Sequence, residues 1–310
     1  MKIGKTNREY KDRLFKFIFG NPENKEWTLE LYNAVNGSNY DNPDDIMFNT
    51  IDDVVYMGMK NDVSFLIQGT MNLYEQQSTY CPNMPVRFYM YSGKLLEGYI
   101  QMNDIDIYST ELQKMPKPNC ICFYNGLDKQ EDRKILGFSD MFIENTKKVK
   151  QGIEPIVELQ VIMININYGH NKELLEKCKP LYEYSFFVHR IRFYISEFEK
   201  GGKAYTLEDA VDRAIVDLPR DFKILKFILI HRQEVKDMCL FEYDEERHMR
   251  GEREVGRKEG RKEGRREGEK IGIEKNMLEM VKDGFLPEEE AAKRLGISIK
   301  ELKEKLGSSK

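Results

Sequence analysis

Polar and apolar residues alternate most clearly between Lys60 and Ser78, KNDVSFLIQGTMNLYEQQS. Val63, Phe65 and Ile67 alternate with Asp62, Ser64 and Leu66, the period of a half-buried strand. Gln68-Gly69 stands where a hairpin turn falls, and Gly69 is free to take positive φ. Thr70 to Gln77 predicts the returning strand, with Met71, Leu73, Glu75 and Gln77 on one face because side chains two apart point the same way. In such a hairpin the start of the first strand lies beside the end of the second. Asp62, Glu75 and Gln77 are thereby gathered at one end of a sheet.

Elsewhere the pattern alternates between helical and strand periods. Asn7 to Phe19 predicts a helix through Tyr10, Leu14, Phe17 and Ile18, stopped by Gly20, with Asp12 and Lys16 as a surface ion pair. Asn21-Pro22 opens a second helix that reaches about Asn36 and is capped by Gly37. Trp27, Leu31 and Ala34 make its apolar stripe, and Glu30 sits inside that stripe, where a carboxylate is costly unless paired or metal-bound. Asn49 to Tyr56, which contains Asp52 and Asp53, predicts a strand ahead of the hairpin. A helix follows over Arg87 to Tyr99, then buried strands over Asn119 to Tyr124 and Pro155 to Ile166. Arg87 is suited to contact a phosphate or to pair with a carboxylate.

From Asn171 to about His248 helical spacing dominates, in Leu174 to Phe198, Thr206 to Val216 and Asp221 to Met238. The run FFVHRIRFYI suits either a DNA-facing helix through His189, Arg190 and Arg192 or a core helix with snorkelling arginines. Gly251 to Gly272 is a low-complexity tract with glycine almost every fourth residue. Each helical Gly costs up to about 1 kcal/mol relative to Ala. Each i,i+3 or i,i+4 charge pair returns about 0.2–0.5 kcal/mol, so the tract is expected to be a marginal helix or a tether. Short helices after Leu286-Pro287 and from Ile299, separated by Gly296, resemble half a helix-turn-helix and suit an oligomerisation module.

The division expected is an α/β core over 1–170, a helical elaboration packed on it over 171–250, a charged Gly-repeat helix or linker over 251–275, and a small helical tail over 276–310. Composition narrows the class. Of 310 residues 40% are hydrophobic and 33% charged, and no apolar run approaches a membrane span, so a soluble cytoplasmic protein is expected. A net charge of -4 leaves any nucleic-acid contact to local basic clusters. The five cysteines contain no CxxC and the four histidines are scattered, which argues against disulfides and zinc. Cys120 and Cys122 share a strand face and read as core.

Two carboxylates side by side form a hard-oxygen site of the kind that holds Mg²⁺ with waters and substrate phosphates. Gln77, two residues after Glu75, points at the same place and is suited to orient a water. The alternative is that Asp62 caps a strand start while Glu75 and Gln77 are solvated. A second candidate is Asp140 with Glu158-Leu159-Gln160, which repeats the E-x-Q triplet after an Asp. The hairpin is preferred because its turn forces proximity, whereas Glu144 to Gly152 intervenes between Asp140 and Glu158.

Asp62 followed by Glu75-Gln76-Gln77 resembles the Asp…Glu-x-Lys signature of the PD-(D/E)XK nuclease superfamily. The chain resembles more closely the Rpn-type recombination-promoting nucleases, or putative transposases, in which Gln commonly replaces that Lys. The matching blocks are Asp12–Lys16, Asn61–Phe65, Leu73–Thr79, Pro82–Arg87, Phe123–Gly126 and Asn165–Asn167, spread over roughly Tyr10 to Glu246. The resemblance implies a restriction-endonuclease-like mixed sheet flanked by helices, with a helical C-terminal elaboration. It implies a metal-dependent DNA endonuclease, linked to recombination or mobile elements, with Mg²⁺ (Mn²⁺ as substitute) on Asp62 and Glu75. It places Gln77 and, from the first core helix, Glu30 beside them as catalytic residues. DNA and a second copy, joined through the tail, are the expected partners. Gln77 is neutral where the signature has a cation. The competing expectation is therefore a catalytically inactive, nuclease-derived module that binds DNA or protein.

Overall fold

The computed structural model describes residues 14–48, 62–142, 157–201 and 206–308. The expected strand Asn49–Tyr56 with Asp52 and Asp53, the first half of the Asn7–Phe19 helix with Asp12, and the Glu144–Gly152 segment lie outside them. The chain forms two compact units, Met1–Glu246 and Arg247–Lys310.

The first unit is built on a six-stranded mixed sheet in the order β1-β2-β3-β4-β6-β5. The strands are β1 (Met47–Phe48), β2 (Val63–Ile67), β3 (Thr70–Gln77), β4 (Lys117–Tyr124), β5 (Arg133–Gly137) and β6 (Gln160–Asn165). β2 and β3 form the expected hairpin. Its turn has positive φ at both Gln68 (48°) and Gly69 (72°), the backbone twist that matches a two-residue hairpin. β3, β4 and β6 run parallel, so their carboxyl ends share one end of the sheet. The edge strand β5 pairs antiparallel with β6; its five residues, RKILG, show no alternation of polar and apolar positions, although Leu136 is buried.

Two apolar layers cover the sheet. On one face lie α1 (Leu14–Phe19), α2 (Lys25–Asn36) and α5 (Lys179–Gly201). Phe15 meets Phe123 of β4 at 5.1 Å and Tyr184 of α5 at 5.7 Å. Leu181, Tyr184 and Phe187 are thus part of the same core as the sheet. Each such aromatic, fully buried, contributes about 1.5–3 kcal/mol. On the other face α3 (Met84–Met102) lays Phe88, Tyr91 and Leu95 over Met71, Leu73, Cys122 and Met163. Asn24 and Thr28 side chains bond the Ile18 and Phe19 carbonyls, joining the end of α1 to the start of α2.

The helical region is more broken than its periodicity predicts. It divides into α4 (Lys172–Lys177), α5, α6 (Leu207–Val216), α7 (Lys223–Ile230) and α8 (Arg232–Lys282). Thr206 and Asp209 make a capping box at α6. The Gly tract lies within α8, and a Cβ added at Gly256, Gly260, Gly264, Gly268 or Gly272 would meet no neighbour within 4 Å. In the second unit, α9 (Glu288–Leu295) and α10 (Ile299–Ser308) bury Ala291, Ala292 and Leu302 beside Leu278 and Val281. Among the described residues, no helix is long and apolar enough to cross a membrane.

Candidate functional site

Strand register assembles the site. Val63 lies opposite Tyr74, so continuing the hairpin by one residue sets Asp62 opposite Glu75. Glu75 is in turn registered with Cys122, Cys122 with Met163, and Met163 with Lys134. Residues in register share a face of the sheet. Asp62, Glu75, Cys122, Met163 and Lys134 therefore form one row across five strand positions, on the face covered by α3.

The polar half of that row is closely bonded. Asp62 Oδ2 accepts the backbone N–H of Gln76 at 2.7 Å. Gln77 Nε2 donates to Glu75 Oε1 at 2.8 Å. Arg87, in the first turn of α3, donates Nη2 to the same Oε1 in an ion pair. Tyr91, one turn later, accepts from the Nε edge of that guanidinium, with Oη 3.4 Å from Nε and 3.2 Å from Nη2. Glu75 is 2% exposed and Gln77 6%, so the expectation of a solvated strand end does not hold. The group lies inside the sheet, because β3 is an inner strand and α3 lies over it.

The electrostatics follow from this burial. Burial works against the charge of Arg87, but Glu75 and Tyr91 outweigh it and hold the guanidinium above its usual range. Burial raises the Tyr91 hydroxyl, and Glu75 adds to the shift. Cys122 is raised well above an ordinary thiol by burial and then by Glu75, with Asp62 contributing, and is therefore an inert core sulfur.

Behind the row two other blocks of the resemblance, Phe123–Gly126 and Asn165–Asn167, meet. The N–H of Asn125 donates to the carbonyl of Gln77 at 2.9 Å. Arg192 of α5 donates to Asn125 Oδ1 at 2.9 Å, to the Asn125 carbonyl at 2.5 Å and to Asn167 Oδ1 at 3.2 Å. Asn167 Nδ2 reaches the Gly126 carbonyl at 3.0 Å. Gly126 is required there: a Cβ would lie 2.3 Å from the Ser78 carbonyl oxygen, the residue after Gln77. Of the two roles open to FFVHRIRFYI, the core helix is nearer. Arg192 turns inward, Arg190 pairs with Asp217, and His189 stacks on Tyr168 at 5.1 Å.

Glu30 is not brought to this group. Its Oε1 accepts the N–H of Lys179 at the start of α5 at 2.7 Å, and its Oε2 pairs with Lys223 at 2.8 Å. The reason is the sheet: α2 packs with α5 on one face, whereas Glu75 points to the α3 face. The carboxylate within the apolar stripe is satisfied by a helix start and an ammonium rather than by the site. Asp140 and Glu158 do approach each other; a Cβ on Gly137 would lie 3.1 Å from Asp140 Oδ2 and 3.6 Å from Glu158 Oε1. Gly137 is registered with Gln160, at the other end of β6 from Asn165 and about 10 Å along that strand from Met163. Glu158 there accepts the Phe138 N–H at 2.9 Å, which fixes the turn after β5.

Sequence reasoning missed two members. Lys134 was hidden in an edge strand with no periodic signal; its Nζ donates to Tyr80 Oη at 3.1 Å. Tyr91 falls within the expected Arg87–Tyr99 helix, and its i+4 spacing from Arg87 was the available clue. Among the described residues no group of three or more His, Cys, Asp or Glu is placed to hold a metal ion. Two carboxylates with an amide still match the donor chemistry of a cation that keeps several waters and meets phosphate oxygens. The comparison with known proteins finds no matching family model, no matching curated protein and no matching solved structure.

Proposed function

We propose that this chain is a metal-dependent DNA endonuclease of restriction-endonuclease-like fold, as its resemblance to the Rpn-type nucleases implies. The observation that carries the reading is the buried Glu75–Gln77 pair opposite Asp62, at the carboxyl end of a parallel strand. Ligands of α/β sheets favour that end. A buried glutamate is expensive and calls for a purpose.

Asp62 and Glu75 are the residues that would hold Mg²⁺, which when bound neutralises phosphate charge and lowers the pKa of a water. Gln77 accepts or donates a hydrogen bond but carries no proton away, so its part is to orient that water. In the hydrolysis a P–O bond forms to the water oxygen and one P–O ester bond breaks. The departing oxygen leaves with the electron pair and takes up a proton, and the water loses one. Lys134, farther along the row, would be the cation to meet a phosphate of the nucleic acid.

The second reading is a nuclease-derived binding module without catalysis. It is favoured by Arg87, whose guanidinium already neutralises Glu75, and by the neutral Gln77. Nicking of supercoiled plasmid in Mg²⁺ separates the two. The purified wild type nicks, and Asp62→Ala loses roughly a hundredfold or more of that rate. Undiminished nicking by Asp62→Ala removes the nuclease reading.

A further inference from the structure

We infer that Arg87, aimed by Tyr91, is the positioning residue that supplies the site with the fixed positive charge Gln77 lacks. The inference rests on the nuclease reading of the same site.

Three observations converge on it. Arg87 and Gln77 donate to one and the same oxygen, Oε1 of Glu75, so the cation and the amide are adjacent by geometry. Arg87 comes from α3 rather than from β3, so the charge enters from the helix that covers the row. Tyr91 then fixes the guanidinium, because its hydroxyl lies 3.2 Å from Nη2 and 3.4 Å from Nε. A second helical residue spent on aiming the first is more than a structural ion pair needs. A guanidinium is planar and permanently charged, so it holds a carboxylate in one orientation better than an ammonium does.

Arg87 acts through Glu75 in two opposed ways. It orients the carboxylate that would meet a divalent ion, and it competes with that ion for the same negative charge. Removing it therefore tightens metal binding while it slows the reaction. A residue that merely props up the site would move both in the same direction.

The test is calorimetric titration of Mg²⁺ alone into the full chain, paired with plasmid nicking, for wild type, Arg87→Met, Arg87→Lys and Tyr91→Phe. Arg87→Met should bind Mg²⁺ about tenfold more tightly. Its nicking should fall about a hundredfold. Arg87→Lys keeps the charge without the fork and should lose only about tenfold in nicking. Tyr91→Phe keeps the ring and its packing, so it reports even where Arg87→Met fails to fold; nicking about fivefold lower is expected. Weaker Mg²⁺ binding in step with slower nicking, or unaltered nicking by the folded Arg87 variants, overturns the inference while leaving the nuclease reading standing. A wild type that takes up no Mg²⁺ overturns both.

Discussion

Asp62 Oδ2 accepts the backbone N–H of Gln76 at 2.7 Å, so a carboxylate at the start of one strand is tied to the end of the next. Asp62 thereby has two duties. It stitches the open end of the hairpin, and it stands opposite Glu75. The two duties separate by substitution. Asp62→Asn keeps an acceptor for Gln76 and is expected to unfold within about 0.5 kcal/mol of wild type, whereas Asp62→Ala loses about 1 kcal/mol. Both variants should lose nicking, because neither carries the negative charge. Urea unfolding alongside the plasmid assay checks this; an active Asp62→Asn would show that the charge is not needed.

Glu30 makes the complementary case. Its carboxylate serves α5 and Lys223 on the other face of the sheet. Glu30→Gln is therefore expected to nick at the wild-type rate and to lose about 1 kcal/mol or less of stability, since the pair is partly exposed. A large fall in nicking with an unchanged unfolding curve would return Glu30 to the site.

Gly126 tests the close approach behind Gln77. Any Cβ there collides with the Ser78 carbonyl and with the Tyr124 ring, and a backbone oxygen has nowhere cheap to go. Gly126→Ala should destabilise by about 1–3 kcal/mol and slow nicking by displacing the Gln77 backbone. Chemical denaturation gives the first, plasmid nicking the second.

The unit carries a pH-sensitive pair outside the proposed site. Partial burial works to raise Asp217, but Tyr194 and Arg190 outweigh it and hold the carboxyl below its ordinary value. A depressed carboxylate stabilises the fold above its unfolded pKa, and that contribution is lost as pH falls through the folded pKa. Stability should thus decline on acidification below the usual Asp range, near pH 4. Asp217→Asn should be less stable at pH 7 and show less of that decline. Equilibrium unfolding from pH 7 to pH 3 measures both.

How much was legible from the chain follows from which signals are local. The β2–β3 hairpin was legible because alternation and a Gln-Gly turn sit within nineteen residues of sequence. The Asp62, Glu75, Gln77 grouping came with it. β5 was not legible, because RKILG shows no alternation of polar and apolar residues: apolar Ile135 stands with Arg133 on its exposed side, and Lys134 stands with buried Leu136 on the other. Glu30 misled because an apolar stripe says only that a carboxylate is enclosed, not on which side of the sheet. The sharing of Glu75 Oε1 by Arg87 and Gln77 depends on how α3 folds back over β3, which no local period encodes. The long helix through the Gly tract exceeded what propensity alone supports.

The central claim is that Asp62 and Glu75 grip one class of ligand, a divalent cation, and titration calorimetry reads it without any DNA present. Wild type should take up Mg²⁺, and the uptake should vanish in both Asp62→Ala and Glu75→Gln while circular dichroism stays unchanged. Equal uptake by all three proteins, or none by the wild type, would contradict the account.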